Sequence, residues 1–375
     1  MWVRFCPACG SQVTLGPAVP DVENPEVLLQ EGTFDTPFED TSLLPLESHV
    51  GRFQLVTPKL WTTVEANSQH PAGSVAATAA RRPIAVLLAG TGEHGYTRRR
   101  VFMSYALAKA GVASLILESP FYGMRRPPGQ RASKLRRVSD LPVLGRVTIE
   151  EAQGLVQWLR ASKLFGPIAL AGTSMGGLHA AISAAFIPYP VGVASYLGPT
   201  SAAPVFTEGV LAKACEWKTL ASQATHRRLE VCLREFEKKM EGLSPGSIRL
   251  YDELDPAALA DASPDAKLSL AKRQVDRFLQ LTNLTNFPPA VQPDAAVFVV
   301  AEHDQYVPRR AMEAHWKTVQ ERWEGCTVKW IPGGHVSAIL FPPESFTEQV
   351  LRVLSRLDAA PEGDGTLDVA SGMSP

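Results

Sequence analysis

Gly172-Thr173-Ser174-Met175-Gly176-Gly177 follows directly on the apolar run 167–171 and leads into the Ala-rich stretch 178–186. A short continuous apolar run is what a buried parallel strand shows, and the stretch beyond it reads as a packed helix. The serine between them sits on a sharp strand-to-helix turn, where a strained backbone demands small neighbours two positions away on either side. Gly172 and Gly176 meet that demand. With Gly and Ser each near ~7% of residues, a chain this long meets such a string by accident in roughly one case in ten. Context therefore decides the reading. A dinucleotide site would need a third glycine in a different spacing.

Outward from this turn, strands and helices alternate, which predicts an α/β fold with a mostly parallel sheet and helices on both faces. Strands are expected at 52–57, 84–89, 112–117, 191–197, 296–301 and 327–331. Helices are expected at 97–109, with Gly111 as its C-terminal stop, at 148–164, at 309–323, and finally through Phe346, Val350, Leu354 and Leu357. The organisation reads as an irregular Pro-rich leader (1–31), a first core part with the serine turn (32–199), a helical lid insertion (200–290) broken at 252–265, a second core part (291–358), and a disordered Gly/Ser/Asp-rich tail (359–375).

The formal net charge of −1, from 37 Lys and Arg against 38 Asp and Glu, argues against a nucleic-acid partner. Basic residues nevertheless cluster at Arg98-Arg99-Arg100 and again in the loop 121–140, whose length exceeds that of a simple connector. Five cysteines without a dense framework favour a reducing compartment. Cys6-Pro-Ala-Cys9 resembles half a zinc knuckle but lacks a second pair, so no metal and no cofactor is expected. No apolar run reaches membrane-spanning length, since Pro188 and Pro190 interrupt 180–197. A transit peptide is neither supported nor excluded, and nothing in the pattern fixes an oligomeric state.

A serine hydroxyl becomes a nucleophile when a base takes its proton and a third group holds that base in the right tautomer. Asp304, just past the strand 296–301, and His335, after Gly333-Gly334 at the end of the strand 327–331, follow Ser174 in the order this chemistry uses. Glu302 is a rival acid; His94, His179, His303 and His315 are rival bases. An oxyanion needs two backbone donors, for which the amides of Met175 and Thr91 are the candidates. Arg98, Arg99 and Arg100 are candidates for holding an anionic head group, the alternative being a solvated face.

Leu88-Ala-Gly-Thr-Gly-Glu-His94, Arg98-Arg99-Arg100, Leu117-Glu-Ser-Pro-Phe-Tyr-Gly123, Val138-Ser-Asp-Leu141, Ser174-Met-Gly-Gly177, Val205-Phe-Thr207 and Gly333-Gly-His-Val-Ser-Ala338 together resemble the alpha/beta hydrolase domain-containing protein 18 family, over about residues 32–354. The resemblance implies an alpha/beta-hydrolase fold, serine hydrolase activity with Ser174, Asp304 and His335 as triad, and a mitochondrial lipid deacylase acting on an acyl ester or phospholipid, with cardiolipin as one candidate. Peripheral membrane contact goes with that expectation; a cytoplasmic location is the alternative. A different class of function is a non-catalytic member of the fold that binds a lipid or protein partner through its lid.

Overall fold

Ile84, Val86 and Leu88 alternate with Ala85 and Leu87 across a strand, and all five are wholly buried. Such a strand must be covered on both faces. The computed structural model describes residues 13–61, 82–136, 140–162, 164–215, 217, 263–342 and 344–358. Among these the strands are β1 (Thr14–Leu15), β2 (Val19–Pro20), β3 (Val27–Asp35), β4 (Val50–Pro58), β5 (Arg82–Leu88), β6 (Ala113–Glu118), β7 (Phe165–Thr173), β8 (Gly192–Tyr196), β9 (Ala296–Ala301) and β10 (Thr327–Ile331). They form one sheet in the order β1-β3-β4-β6-β5-β7-β8-β9-β10, with β2 beside β3. From β6 to β10 in this order every pairing is parallel, whereas β3 pairs with β4, and β4 with β6, antiparallel.

The helices divide between the faces. α1 is one helical run, Thr97–Arg99 and Tyr105–Lys109 flanking a π-turn at Arg100–Ser104. With the final helix it covers the face of Ala85, Leu87 and Ala169. The opposite face, with Ile84, Val86 and Leu88, is covered by α2 (Asp140–Ala161), α3 (Met175–Ala185) and the helix Arg309–Arg322. In the predicted lid, α4 (Ala203–Thr207) packs on α5 (Pro264–Leu279), whose first turn is capped by the Ser263 hydroxyl accepting from the Ala266 amide at 3.2 Å. In chain order α6 is Arg309–Arg322, α7 His335–Leu340 and α8 Phe346–Asp358. Gly111 stops α1 with φ +79°, as expected.

Three elements differ from expectation. The leader expected to be irregular through residue 31 carries β1, β2 and most of β3, and β3 pairs with β4 over its whole length, from Val27↔Pro58 to Asp35↔Val50. Glu31 and Gly32 interrupt its apolar pattern, yet Gly32 is where the Phe53 ring packs: a Cβ there would lie 2.2 Å from it. α2 starts at Asp140 rather than at 148, because Pro142 falls in its first turn, where a missing amide costs nothing. The basic loop before it is correspondingly shorter. The tail 359–375, the Cys6/Cys9 pair and most of the lid's 252–265 break lie outside the described residues.

That basic loop is anchored from inside. Arg125 is fully buried and grips the Glu151 carboxylate with both terminal nitrogens, at 2.8 and 2.5 Å, while also donating to the Glu118 and Ser48 carbonyls. The Ser48 hydroxyl returns a hydrogen bond to the Arg125 carbonyl at 2.8 Å. A buried pair of this kind adds little net stability, but breaking it strands a charge. Arg125→Ala is expected to destabilise the fold by about 3–5 kcal/mol in urea unfolding, and the double change Arg125→Met with Glu151→Leu to recover most of that loss. A loss under about 1 kcal/mol for Arg125→Ala would contradict this account.

Candidate active site

β7 ends at Thr173 and α3 begins at Met175, so Ser174 alone makes the turn, with φ +56° and ψ −123°. A non-glycine residue held there stores on the order of 1–3 kcal/mol, which the surroundings must override. They do so by close backbone packing. A Cβ on Gly172 would lie 2.5 Å from the Gly176 carbonyl carbon, and one on Gly176 would lie 2.3 Å from the Leu88 oxygen. Met175 supplies the first amide of α3, one of the donors a helix start leaves unpaired.

Two later loops are joined by backbone hydrogen bonds: Glu302 N–H donates to the Ile331 carbonyl (2.9 Å) and His303 N–H to that of Gly333 (3.0 Å). Gly333, at φ +94°, turns the chain so that His335 opens α7. Asp304 Oδ1 accepts from the amides of Tyr306 and Val307 at 2.8 and 2.9 Å, leaving Oδ2 2.7 Å from His335 Nδ1. Both side chains are buried. With Nδ1 engaged, Nε2 is the nitrogen left for another partner. Ser174 and His335 line one cavity of about 380 Å³, though no hydrogen bond joins them in this structure. In ligand-free structures a hydrogen bond between a hydroxyl and a neighbouring base is often long, and tightens only when a ligand binds.

The rival residues are elsewhere or differently engaged. Glu302 is half-buried and His303 exposed, while His315 sits beside Thr200 Oγ1 (3.2 Å) and Asn283 Nδ2 (3.4 Å). His94 Nδ1 accepts from the Gly123 amide at 2.9 Å, and burial together with Arg126 lowers its pKa. His179 does reach the cavity wall, where burial pushes its pKa down to about 4.

Thr91 also lines the cavity, and its hydroxyl contacts Met175 Sδ at 3.7 Å. The loop that carries it is held by Glu93, whose Oε2 accepts the Gly90 amide at 2.9 Å. Gly90 in turn approaches the elbow so closely that a Cβ would lie 3.1 Å from the Thr173 oxygen. The Thr91 and Met175 amides have no partner among the described residues.

The arginine run separates into three roles. Arg99 is fully buried and donates to the carbonyls of Leu87 (2.9 Å), Leu117 (2.6 Å) and Gly95 (2.9 Å), so it ties the carboxyl ends of β5 and β6 together. Arg100 donates to Gln54 Oε1 and pairs with Asp21 at 3.5 Å. Neither is placed to hold a head group, which corrects that expectation for both. Arg98 lines the cavity with its side chain half exposed. Arg146 of α2, which the sequence reading did not single out, lines it too. The rest of the wall is largely apolar and includes Val205, Phe206, Leu211, Leu281 and Phe287 from the 200–290 insertion.

A mixed sheet whose parallel part carries a serine on a strand–helix elbow, with an aspartate and a histidine after later strands, defines the alpha/beta-hydrolase class. Among solved structures, acetyl xylan esterase 1 from Thermoanaerobacterium sp. JW/SL YS485 is similar at 14% identity, covering 92% of this chain and 88% of that one with a TM-score of 0.48. The alpha/beta hydrolase GrgF from Penicillium sp. sh18 is similar at 17% identity, 88% and 98% coverage and the same TM-score of 0.48. The chain belongs to the alpha/beta hydrolase domain containing 18 family, whose model matches residues 14–356.

Because the folded-state pKa of His179 lies below the ordinary 6.5, the unfolded chain takes up the proton first as pH falls. Its contribution to stability is whole above pH 6.5 and is lost progressively down to about pH 4, on the order of 3 kcal/mol in all. Urea unfolding between pH 7.5 and 5 is expected to show a drop that His179→Leu flattens. An unchanged pH slope in the variant would contradict the burial argument.

Proposed function

We propose that the protein is a serine hydrolase that cleaves acyl esters through an acyl-enzyme formed on Ser174. The observation that carries this reading is that the strained Ser174 and His335 share the wall of one largely apolar cavity, with the buried Asp304 2.7 Å from His335 Nδ1 behind it. His335 Nε2 takes the Ser174 proton as Oγ attacks the ester carbonyl; Asp304 holds the ring and stabilises the imidazolium. The amides of Met175 and Thr91 receive the oxyanion, at an elbow whose own helix start favours negative charge. The imidazolium then protonates the departing alcohol, and water, activated by the same histidine, releases the acid and restores the serine.

An apolar pocket suits an acyl chain, and Arg98 at its wall suits an anionic group beyond the ester. With the family assignment, these features support a lipid deacylase acting on phospholipid, cardiolipin being one candidate, at a mitochondrial membrane surface that the protein meets peripherally. No helix among the described residues is long and apolar enough to cross a membrane.

A fluorophosphonate probe is expected to label the wild type and not Ser174→Ala. Equal labelling of both, or of neither when folded, contradicts the reading. Asp304→Asn is expected to lower kcat by about 10⁴-fold on a p-nitrophenyl ester with little change in thermal stability; near-wild-type turnover would remove Asp304 from its role.

A further inference from the structure

His179 stands in the cavity wall and the reaction described above makes no use of it. It lies in α3, five residues beyond Ser174, on the same helix that the nucleophile opens. The same cavity wall carries the apolar Ile149, Leu178 and Ile182, and Arg146 beside Gly145 on α2. The ring is buried, and its Nδ1 is sealed from solvent with no hydrogen-bond partner. The Nε2 edge lies against α2 at Gly145, which also lines the cavity: a Cβ at that glycine would come within 3.2 Å of Nε2. α2 thus carries a glycine in its interior, unfavourable for a helix, at the place where the imidazole needs room.

A polar ring in an apolar wall is costly unless something bonds to it. A sealed lone pair is tolerated better than a sealed N–H, so the favoured tautomer leaves Nδ1 bare and puts the proton on Nε2, the edge that faces Gly145 and the cavity. Burial keeps the imidazole neutral at pH 7. The group offered to a chain in the pocket is therefore an uncharged donor.

We propose that His179 forms an oxygen-binding subsite within the acyl pocket, selecting esters whose acyl chain carries a hydroxyl or another oxygen several carbons from the carbonyl. The proposal rests on the hydrolase reading of Ser174 and deepens it. Five residues of helix advance about 7.5 Å, the reach of roughly six methylene groups joined by C–C bonds of about 1.5 Å. A hydroxyl at that depth accepts from Nε2–H, whereas a plain methylene leaves the imidazole unpaired; sites built to bond a substrate oxygen discriminate against the analogue lacking it.

The test compares kcat/KM for p-nitrophenyl dodecanoate with p-nitrophenyl dodecanoates hydroxylated next to the carbonyl, near the sixth or seventh carbon, and at the chain terminus. In the wild type the mid-chain hydroxyl is expected to raise kcat/KM about tenfold over the unsubstituted ester, and the other two positions to raise it much less. His179→Leu is expected to bring the mid-chain ratio to about one, and His179→Gln, which keeps a donor, to retain part of it. No positional preference in the wild type, or the same preference in His179→Leu, overturns the subsite. Fluorophosphonate labelling of Ser174 on the same samples separates the two readings: labelling without preference removes the subsite alone, whereas folded protein with neither labelling nor turnover removes the hydrolase reading as well.

Discussion

The approach of Gly176 to the carbonyl of Leu88 is the contact on which the rest of the site depends. It brings the start of α3 against the end of β5, and no residue with a side chain fits there: a Cβ would stand 2.3 Å from that oxygen. Gly172, pressed on Gly176 from the other side, leaves Ser174 to complete the turn at φ +56°. The strain is local, and the parallel strands packed on either side of β7 override it. What the turn yields is a hydroxyl at the sheet's carboxyl edge, with a free helix amide one residue away.

The same edge gathers the remaining groups by backbone means. The loop after β5 is tethered by Glu93 to the Gly90 amide and lies against Thr173, which leaves the Thr91 amide unengaged near the elbow. Arg99 sits behind it, joining the ends of β5 and β6 and standing 3.6 Å from Glu93. On the far side, the loops after β9 and β10 are joined by the hydrogen bonds of Glu302 and His303, so Asp304 meets His335 already oriented. Ser174, Asp304 and His335 thus stand on turns and loops whose position is set by rigid strands, and the proposed reaction asks little reorganisation of them.

The elbow, the order of serine, aspartate and histidine, and most core elements were legible because they depend on local signals: a glycine pair, apolar runs and strand ends. Harder to read was what distant partners decide. Arg99 and Arg125 look like members of solvated basic runs, yet both are buried, because carbonyls from β5, β6 and the chain near Ser48 converge on them. Nothing within a window of neighbouring residues marks that convergence. β3 was missed since Glu31 and Gly32 break its apolar pattern, and the reason for Gly32 is a ring on another strand. Among the four rival histidines, spacing could not separate a wall residue from a surface one; the packing of His179 against Gly145 does.

In the proposed mechanism the elbow delivers the Ser174 hydroxyl between the Asp304–His335 pair and two waiting amides. A crystal structure of the protein after reaction with a fluorophosphonate tests it most directly. The expected adduct has phosphorus bonded to Ser174 Oγ, its oxygen within about 3 Å of both the Met175 and Thr91 amide nitrogens, and His335 Nε2 turned toward the ester oxygen. An adduct on another side chain, or a phosphoryl oxygen that meets neither amide, would contradict it.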